Sequence, residues 1–525
     1  MSEDSFDADV AIVGYGPTGV SAANFLGALG VRTIAFEREK DIYQRARAVT
    51  VNDWTLRCFQ SVGLDTLLVK DMDPHTLYRW KTFAGKELMR MTVPPSALGQ
   101  PAAMAIYQPV MEQTLRDGAA RYADHVSVRY GETVTAVSQD AESATVTSDR
   151  GSVRVRYVLA CDGGSSPVRE RLGIRLLGDT NETLWVVIDA KVKRWWPDRQ
   201  ILTFWSDPRR PVVDIALGIG NHRWEFPLAA HESEADFRTT DQLWTLLNSM
   251  GVTSDDVEIH QHAFYKHHVR RAERWRDRRI FLLGDAAHLM PPWAGQGMQS
   301  GVRDANNLAW KLGQVLSGTV DSAAAESLLD SYEVERAPNV ARMTAESERL
   351  GRLIKMQLSG REKAGLMIGA VVAKLTGRTP PQPLAQGPAI AKGWQNGRSA
   401  KGSAIGRMPP QPFMSTATGR RARLDDHLGS GFVLLGDGRD PSTLLSADQR
   451  AAWDRLGARY VAVRPVDGGS EAATDLIDLE GVVLDWMRRH AATVIALRPD
   501  RFVCADQGDL SVPTGDGTSY NQDGD

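Results

Sequence analysis

The tightest constraint on this chain lies in its opening segment. An apolar run at 9–13 passes into Gly14-Tyr15-Gly16-Pro17-Thr18-Gly19, then an Ala-rich stretch at 17–30, then a second apolar run at 32–36 that ends beside Glu37 and Arg38. Strand, glycine turn, helix and strand in that order specify a parallel βαβ unit. The first glycine permits the tight turn, the second lets the backbone approach a pyrophosphate, and the third lets helix and strand pack closely. The acidic residue after the second strand accepts from a ribose diol. An acid there favours an adenosine ribose without a 2′-phosphate, so FAD or NAD.

Two further loops carry a similar signal. Cys161-Asp162-Gly163-Gly164-Ser165-Ser166 follows an apolar run at 157–161. Gly284 to Lys311, reading GDAAHLMPPWAGQGMQSGVRDANNLAWK, follows another at 280–283 and enters a segment with apolar residues at helical spacing. A strand, a tight loop and a helix N-terminus make a site for negative charge. Loops this far apart in sequence predict one long cofactor held from both ends.

At 525 residues the chain exceeds one ordinary domain. With 42% hydrophobic and 24% charged residues it can bury a sizeable core, and a net charge of −3 argues against nucleic acid or an anionic membrane as main partner. The three cysteines, Cys58, Cys161 and Cys504, show no CxxC and no metal spacing, so reduced thiols, no metal and a cytoplasmic location are expected. The acidic opening is not a signal peptide, and no apolar window spans a membrane. Period-two alternation at 77–93 and 183–226 predicts antiparallel sheet. Strands of a small meander are expected at 126–156, and helices at 51–62, 109–122, 297–316 and 323–355. The expected organisation is α/β. A cofactor domain comprises 1–75 with 100–180 and 268–375. A substrate sheet comprises 76–99 with 181–267. A Pro- and Gly-rich linker spans 376–412, and 413–525 form a C-terminal α/β domain.

The three loops, in this order, resemble the class A flavoprotein monooxygenases of the para-hydroxybenzoate hydroxylase type, over residues 7–350. Pro291-Pro292-Trp293-Ala294-Gly295-Gln296-Gly297 with Asp304-Ala305-Asn306-Asn307-Leu308-Ala309-Trp310-Lys311 is most similar to the 3-(3-hydroxyphenyl)propionate hydroxylase branch. The C-terminal region resembles the thioredoxin-like appendage of phenol hydroxylase relatives, without CxxC and so without dithiol chemistry. The resemblance implies FAD as cofactor, NADH or NADPH as transient electron donor, and O₂ and a small aromatic substrate as partners. Oxygen transfer would then proceed through a flavin C4a-hydroperoxide, and a homodimer is the expected assembly. It places Asp285 on the ribityl chain and backbone donors of Gly295, Gln296, Gly297 and Met298 at the flavin N1–C2=O edge. Asp162 and Gly163 fall by the pyrophosphate and nicotinamide groove. Arg47, with Arg45 as alternative, falls on the FAD phosphates or ribose, and Gln108 and Arg116 on the ribityl or adenine side. Pro292 and Trp293 fall at the reaction face, with Trp293 where close relatives carry Phe; His288 falls at that face as a catalytic residue or simply holds the loop Gly284-Asp285-Ala286-Ala287.

The base that deprotonates a phenol is left open among His222, His262, His267, His288 and Tyr107. Trp185, Trp205 and Trp224 suit either aromatic substrate packing or ordinary core. Arg223 or Arg209 suits a substrate carboxylate or plain surface. Gly218-Ile219-Gly220 is a poor second nucleotide motif, and no CxxxxC exists, which disfavours glutathione-reductase-like enzymes. Trp195-Trp196-Pro197 is not the halogenase WxWxIP. A polyketide-tailoring flavin monooxygenase (hydroxylation, epoxidation or Baeyer–Villiger insertion) and a non-catalytic flavin-binding protein are the alternatives.

Overall fold

A computed structural model describes residues 6–207, 210–355, 357, 359–362, 364, 365, 368, 387–468 and 472–514. The expected linker at 376–386, the C-terminal stretch from 515 and Arg209 lie outside the described residues. The fold is mixed α/β, with three large sheets.

The first sheet is built on parallel strands whose apolar residues are buried on both faces, as parallel sheets require. Ala8–Val13 pairs with Thr33–Glu37 on one side and Gly151–Ala160 on the other, and Gly151–Ala160 pairs with Ile280–Leu282, all in parallel. Val13 stands level with Phe36 and Ala160, and Ala160 with Leu282. Gly14, Glu37, Cys161 and Leu283 therefore leave the sheet along one carboxyl edge, where open α/β sheets bind ligands. The helices Pro17–Ala28 and Gly297–Leu316 pack on each other beside this edge.

The second sheet has eight strands, and two of them are long: Leu176 of Leu176–Val192 stands opposite Ala272, and Val192 opposite Val257. The expected domain limits at 180/181 and 267/268 fall inside these two strands. Most neighbours are antiparallel as the alternation predicts, but Leu202–Trp205 pairs with Leu77–Lys81 in parallel. His288–Leu289, from the third glycine loop, is this sheet's edge strand, against Arg270 and Arg271. One face packs on the helix Thr240–Ser249 through Ile188, Trp224 and Phe226 against Leu243 and Leu247. The other turns Val213 and Ile215 toward the C-terminal end of the helix Ser322–Ile354.

A seven-stranded C-terminal sheet has a parallel centre, Val433–Asp437 with Arg459–Pro465 and Arg459–Pro465 with Leu476–Asp478. It docks through buried ion pairs. Glu335 takes two bonds from Arg498, at 2.7 and 2.9 Å, with Lys311 Nζ at 2.9 Å, Asn307 Nδ2 at 2.7 Å and Trp394 N at 2.9 Å. The described part of the expected linker is packed: Trp394 is buried and meets Trp310 and Phe432 edge-on or tilted. Asn52 caps the helix Asp53–Gln60, which begins after a short strand, Thr50–Asn52. Gly218–Gly220 is the turn of a hairpin, with Ile219 at φ 52°.

Candidate active site

One cavity of about 1300 Å³ runs from the carboxyl edge of the first sheet to the inner face of the second. Pockets for one drug-sized ligand are roughly 300–1,000 Å³, so this larger space suits two molecules meeting.

Its first end is shaped by glycines with distinct constraints. Gly14 has φ +90°, and a Cβ there would lie 2.5 Å from Cys161 O; at Gly19 it would lie 2.0 Å from Gly14 O. A Cβ on Gly16 would meet nothing within 4 Å, because that position opens on the cavity. Glu37 accepts from Tyr15 N at 2.8 Å and Glu39 N at 2.9 Å, one on each carboxylate oxygen, leaving lone pairs on both. Arg38 is exposed on the same rim beside Glu39. Gln108 Oε1 accepts from the amides of both Arg47 and Ala48 at 2.8 Å, so it shapes the loop that carries Arg47. Arg116 lines the cavity, paired with Glu112 at 2.9 Å. Asp162 Oδ2 accepts from Val168 N at 3.1 Å, while Oδ1 is buried without a partner among the described residues.

At the other end Thr18 is wedged between two glycines: a Cβ at Gly284 would lie 2.5 Å from its Oγ1, and at Gly301 2.2 Å. Asp285 faces the cavity, and burial lifts its carboxyl above the usual range against the opposing charges of His288 and Arg47. The turn Pro292–Ala294 ends on Gly295, left-handed at φ 59°, and the helix Gly297–Leu316 then starts with no side-chain cap. Gly295, Gly297 and Met298 line the cavity, with the positive end of that helix beside them.

Not every expected residue arrives there. Gly19 and Gln296 are turned away; the Gln296 side chain bonds Ala294 O at 3.1 Å and accepts from Arg303 at 3.0 Å. His288 is 1% exposed, off the cavity, with Nε2 at 2.7 Å from Asp304, which also takes Gly284 N at 3.1 Å and Arg336 at 2.8 Å. It ties the glycine loop to two helices, which corrects its expected place at the reaction face. His222 pairs with Asp214 at 2.7 Å among Trp196 and Trp224. His262, His267 and Tyr107 do not line the cavity either. Burial, with Lys355 nearby, pushes His267 down to about 3. Arg45 is absent from the lining. Arg223 is neither surface nor free: it is 3% exposed, bonds Asp189 at 2.7 and 2.8 Å, and donates to the carbonyls of Ala46 and Arg47.

The chamber beyond the glycine loops has an apolar wall of Tyr78, Trp80, Met91, Phe204 and Leu353 with Pro292 and Trp293, and the charged residues Arg90 and Arg349 line the same cavity. Trp293 is locked in place, edge-on to Trp185 at 5.0 Å and to His267 at 4.6 Å, with its ring where a Cβ on Gly351 would lie, 2.5 Å away. Trp185 and Trp224 are fully buried core, and Trp205 bonds Asp214 at 2.9 Å. Sequence reasoning missed Glu225, a buried acid in the chamber wall; between Trp224 and Phe226 in an alternating strand, it reads from the sequence as an outward acid.

Residues 7–347 match the family described as FAD binding domain, and 406–513 the HcaD C-terminal domain. The chain is 36% identical over 520 residues to a 3-(3-hydroxy-phenyl)propionate/3-hydroxycinnamic acid hydroxylase of Burkholderia cenocepacia (strain HI2424), covering 94% of this chain and 93% of that one. A hydroxylase of the same name from Mycobacterium sp. (strain JLS) is 35% identical over 519 residues, covering 95% and 89%. Among solved structures, the flavin-dependent monooxygenase PieE in complex with FAD and substrate superposes with a TM-score of 0.78 at 22% identity over 97% of each chain. Aklavinone-11 hydroxylase with FAD and aklavinone gives 0.75 at 23%, over 98% and 97%. At such identities the likeness is one of fold.

Proposed function

The chain belongs to the FAD-binding monooxygenase family that contains the 3-(3-hydroxyphenyl)propionate/3-hydroxycinnamic acid hydroxylases, and we propose that its substrate is a phenol bearing a short acidic side chain. It is an FAD-dependent aromatic-ring hydroxylase that uses NAD(P)H and O₂. The observation that carries the substrate reading is the continuity of one cavity from the Gly14–Glu37 turn to the apolar wall at Pro292 and Trp293, in a chain 36% identical to the acidic-phenol hydroxylases.

The residues present fit the cofactor. Gly16, Gly163 and Gly297 leave space where a Cβ would stand, and Asp162 Oδ1 is a buried acceptor awaiting a donor. FAD, when bound, takes a hydride from NAD(P)H and with O₂ supplies the oxygen atom for transfer. Gly14, Gly16, Pro17 and Thr18 hold the pyrophosphate, and Glu37 with Arg38 the adenosine ribose. Arg47, Gln108, Asp162 and Gly163 hold the middle, and Asp285 the ribityl chain. Amides of Gly295, Gly297 and Met298 stabilise negative charge at the flavin edge. Gln296 contributes through its backbone, and Gly19 by letting helix meet loop. Pro292 and Trp293 exclude water above the ring, and His288 positions the loop through Asp304.

Among the described residues no helix is long and apolar enough to cross a membrane. We place the enzyme in the cytoplasm, a reading supported by its three free cysteines and checked by fractionation; the homodimer that the family resemblance implies is checked by sedimentation. The functional test is direct. The purified holoenzyme is mixed with NADH or NADPH and 3-(3-hydroxyphenyl)propionate, and the product is identified by mass spectrometry. Oxidation of the nicotinamide that no phenol accelerates, with no hydroxylated product, refutes the reading; turnover of polycyclic phenols alone replaces its substrate.

A further inference from the structure

Glu225 is an acid that the second sheet presents to the chamber. It stands opposite Val187 on one neighbouring strand and Val213 on the other, so it shares their face, and it lines the cavity while only 8% exposed. An ionisable group on an apolar wall needs partners. The Tyr265 hydroxyl donates to Oε2 at 2.8 Å, whereas Arg223 Nη1 is 3.9 Å from Oε1, beyond hydrogen-bond distance. Arg223 is already committed to Asp189 and to the carbonyls of Ala46 and Arg47. One carboxylate oxygen is thus held by Tyr265, and the other has no donor at bonding distance among the described residues.

We propose that Glu225 takes the phenolic proton of the substrate. The proposal rests on the hydroxylase reading above and names the base for it. The substrate O–H bond breaks, an O–H bond forms on the carboxylate, and the electron pair stays on the phenolate oxygen, so the step needs no oxidant. The proton passes to solvent once product leaves. The ionised ring is the more nucleophilic one, which is what an electrophilic oxygen requires. The groups facing Glu225 support the role. Burial raises its carboxyl above the ordinary range, with Asp189 adding to the rise and Arg223 and the Tyr265 hydroxyl opposing it. A raised carboxyl narrows the gap to a phenol, which favours proton transfer between them. None of the histidines weighed from the sequence lines the cavity.

The test uses the holoenzyme with 3-(3-hydroxyphenyl)propionate as probe. Bound to the wild type, the probe shows the ultraviolet phenolate band at neutral pH. Glu225→Gln keeps its FAD and binds the probe without that band. Its hydroxylation falls by about a hundredfold or more and recovers as pH approaches the probe's own ionisation. A Glu225→Gln enzyme with wild-type band and turnover overturns the proposal while leaving the hydroxylase reading intact. A wild type that hydroxylates no phenol brings down both. Tyr265→Phe is the second variant. Losing a donor to the charged form raises the carboxyl further, so the acid limb of the turnover profile moves to higher pH. A limb that stays in place overturns the proposal even if Glu225→Gln fails to fold.

Discussion

Replacing Gly14 and Gly16 separately by alanine should split folding from cofactor binding within one turn. At Gly14 the backbone is left-handed, φ +90°, and the new Cβ would lie 2.5 Å from Cys161 O. Left-handed backbone costs a residue with a side chain about 1–2 kcal/mol. Forcing the neighbouring strand end to yield adds about 1–3. Gly14→Ala should therefore lose about 2–5 kcal/mol of stability with or without FAD. Gly16 has φ −72°, ψ −170°, which alanine adopts without strain, and nothing lies within 4 Å of the added Cβ. The apo-protein should gain about 0.4–1 kcal/mol, since alanine has less unfolded-state freedom. The methyl would instead meet the pyrophosphate. Loss of one backbone bond to a charged group costs about 1.5–3 kcal/mol, roughly a ten- to hundredfold weaker FAD complex. Differential scanning of apo and FAD-saturated protein, with flavin occupancy read by absorbance, measures both quantities. A Gly16→Ala protein that retains FAD like the wild type would refute the placement of the pyrophosphate on this turn.

Asp285→Ala should melt like the wild type without cofactor, because a carboxyl lifted by burial adds little to apo stability, yet purify depleted of FAD; normal flavin content would refute its role. Glu335 is held down to about 2, chiefly by Arg498 and Lys311 overcoming burial. Its folded value lies below the unfolded one near 4.5, so its contribution, about 3 kcal/mol, is present above pH 4.5 and is lost as pH falls toward 2. Glu335→Gln should abolish that acid loss and, leaving Lys311 without its carboxylate and Arg498 with Asp500 alone, destabilise docking of the C-terminal sheet by about 3–5 kcal/mol at pH 7; limited proteolysis between the sheets and acid-titrated melting check both. His267 is also held below its unfolded value, at about 3, so protons favour the unfolded chain as pH falls from 6.5. His267→Phe should flatten the fall in melting temperature between pH 6.5 and 4, and an unchanged slope would refute the buried neutral ring beneath Trp293.

What the sequence discloses is local. Apolar run, glycine and acid within one βαβ unit report their own geometry, so Gly14 to Glu37 and the helix Gly297–Leu316 are legible in the residues themselves. What fails depends on distant partners. His288 lies near the flavin loop in sequence, but its ring is drawn inward by Asp304, about two turns into the following helix. Arg223 reads as a rim residue because its counter-ion Asp189 and the carbonyls it clamps lie on other segments. Glu225 in an alternating strand reads as an outward acid until the sheet places Val187 and Val213 at its sides. The parallel pairing of Leu77–Lys81 with Leu202–Trp205 leaves no periodic trace. The helix Thr240–Ser249 is absent from the expected elements although Thr239 and Gln242 form a capping box that signals its start.

His288–Leu289 closes the edge of the second sheet while belonging to the loop that carries Asp285 and Pro292. Exchange of substrate preference between relatives by swapping residues 176–272 would therefore transplant a sheet whose outermost strand stays behind in the host. The transplanted Arg270 and Arg271 would have to re-form a ladder with foreign residues at 288 and 289. A graft that carries residues 176–298 as one block keeps that seam intact, and the recombination point then falls within the first turn of Gly297–Leu316, where helix backbone is interchangeable.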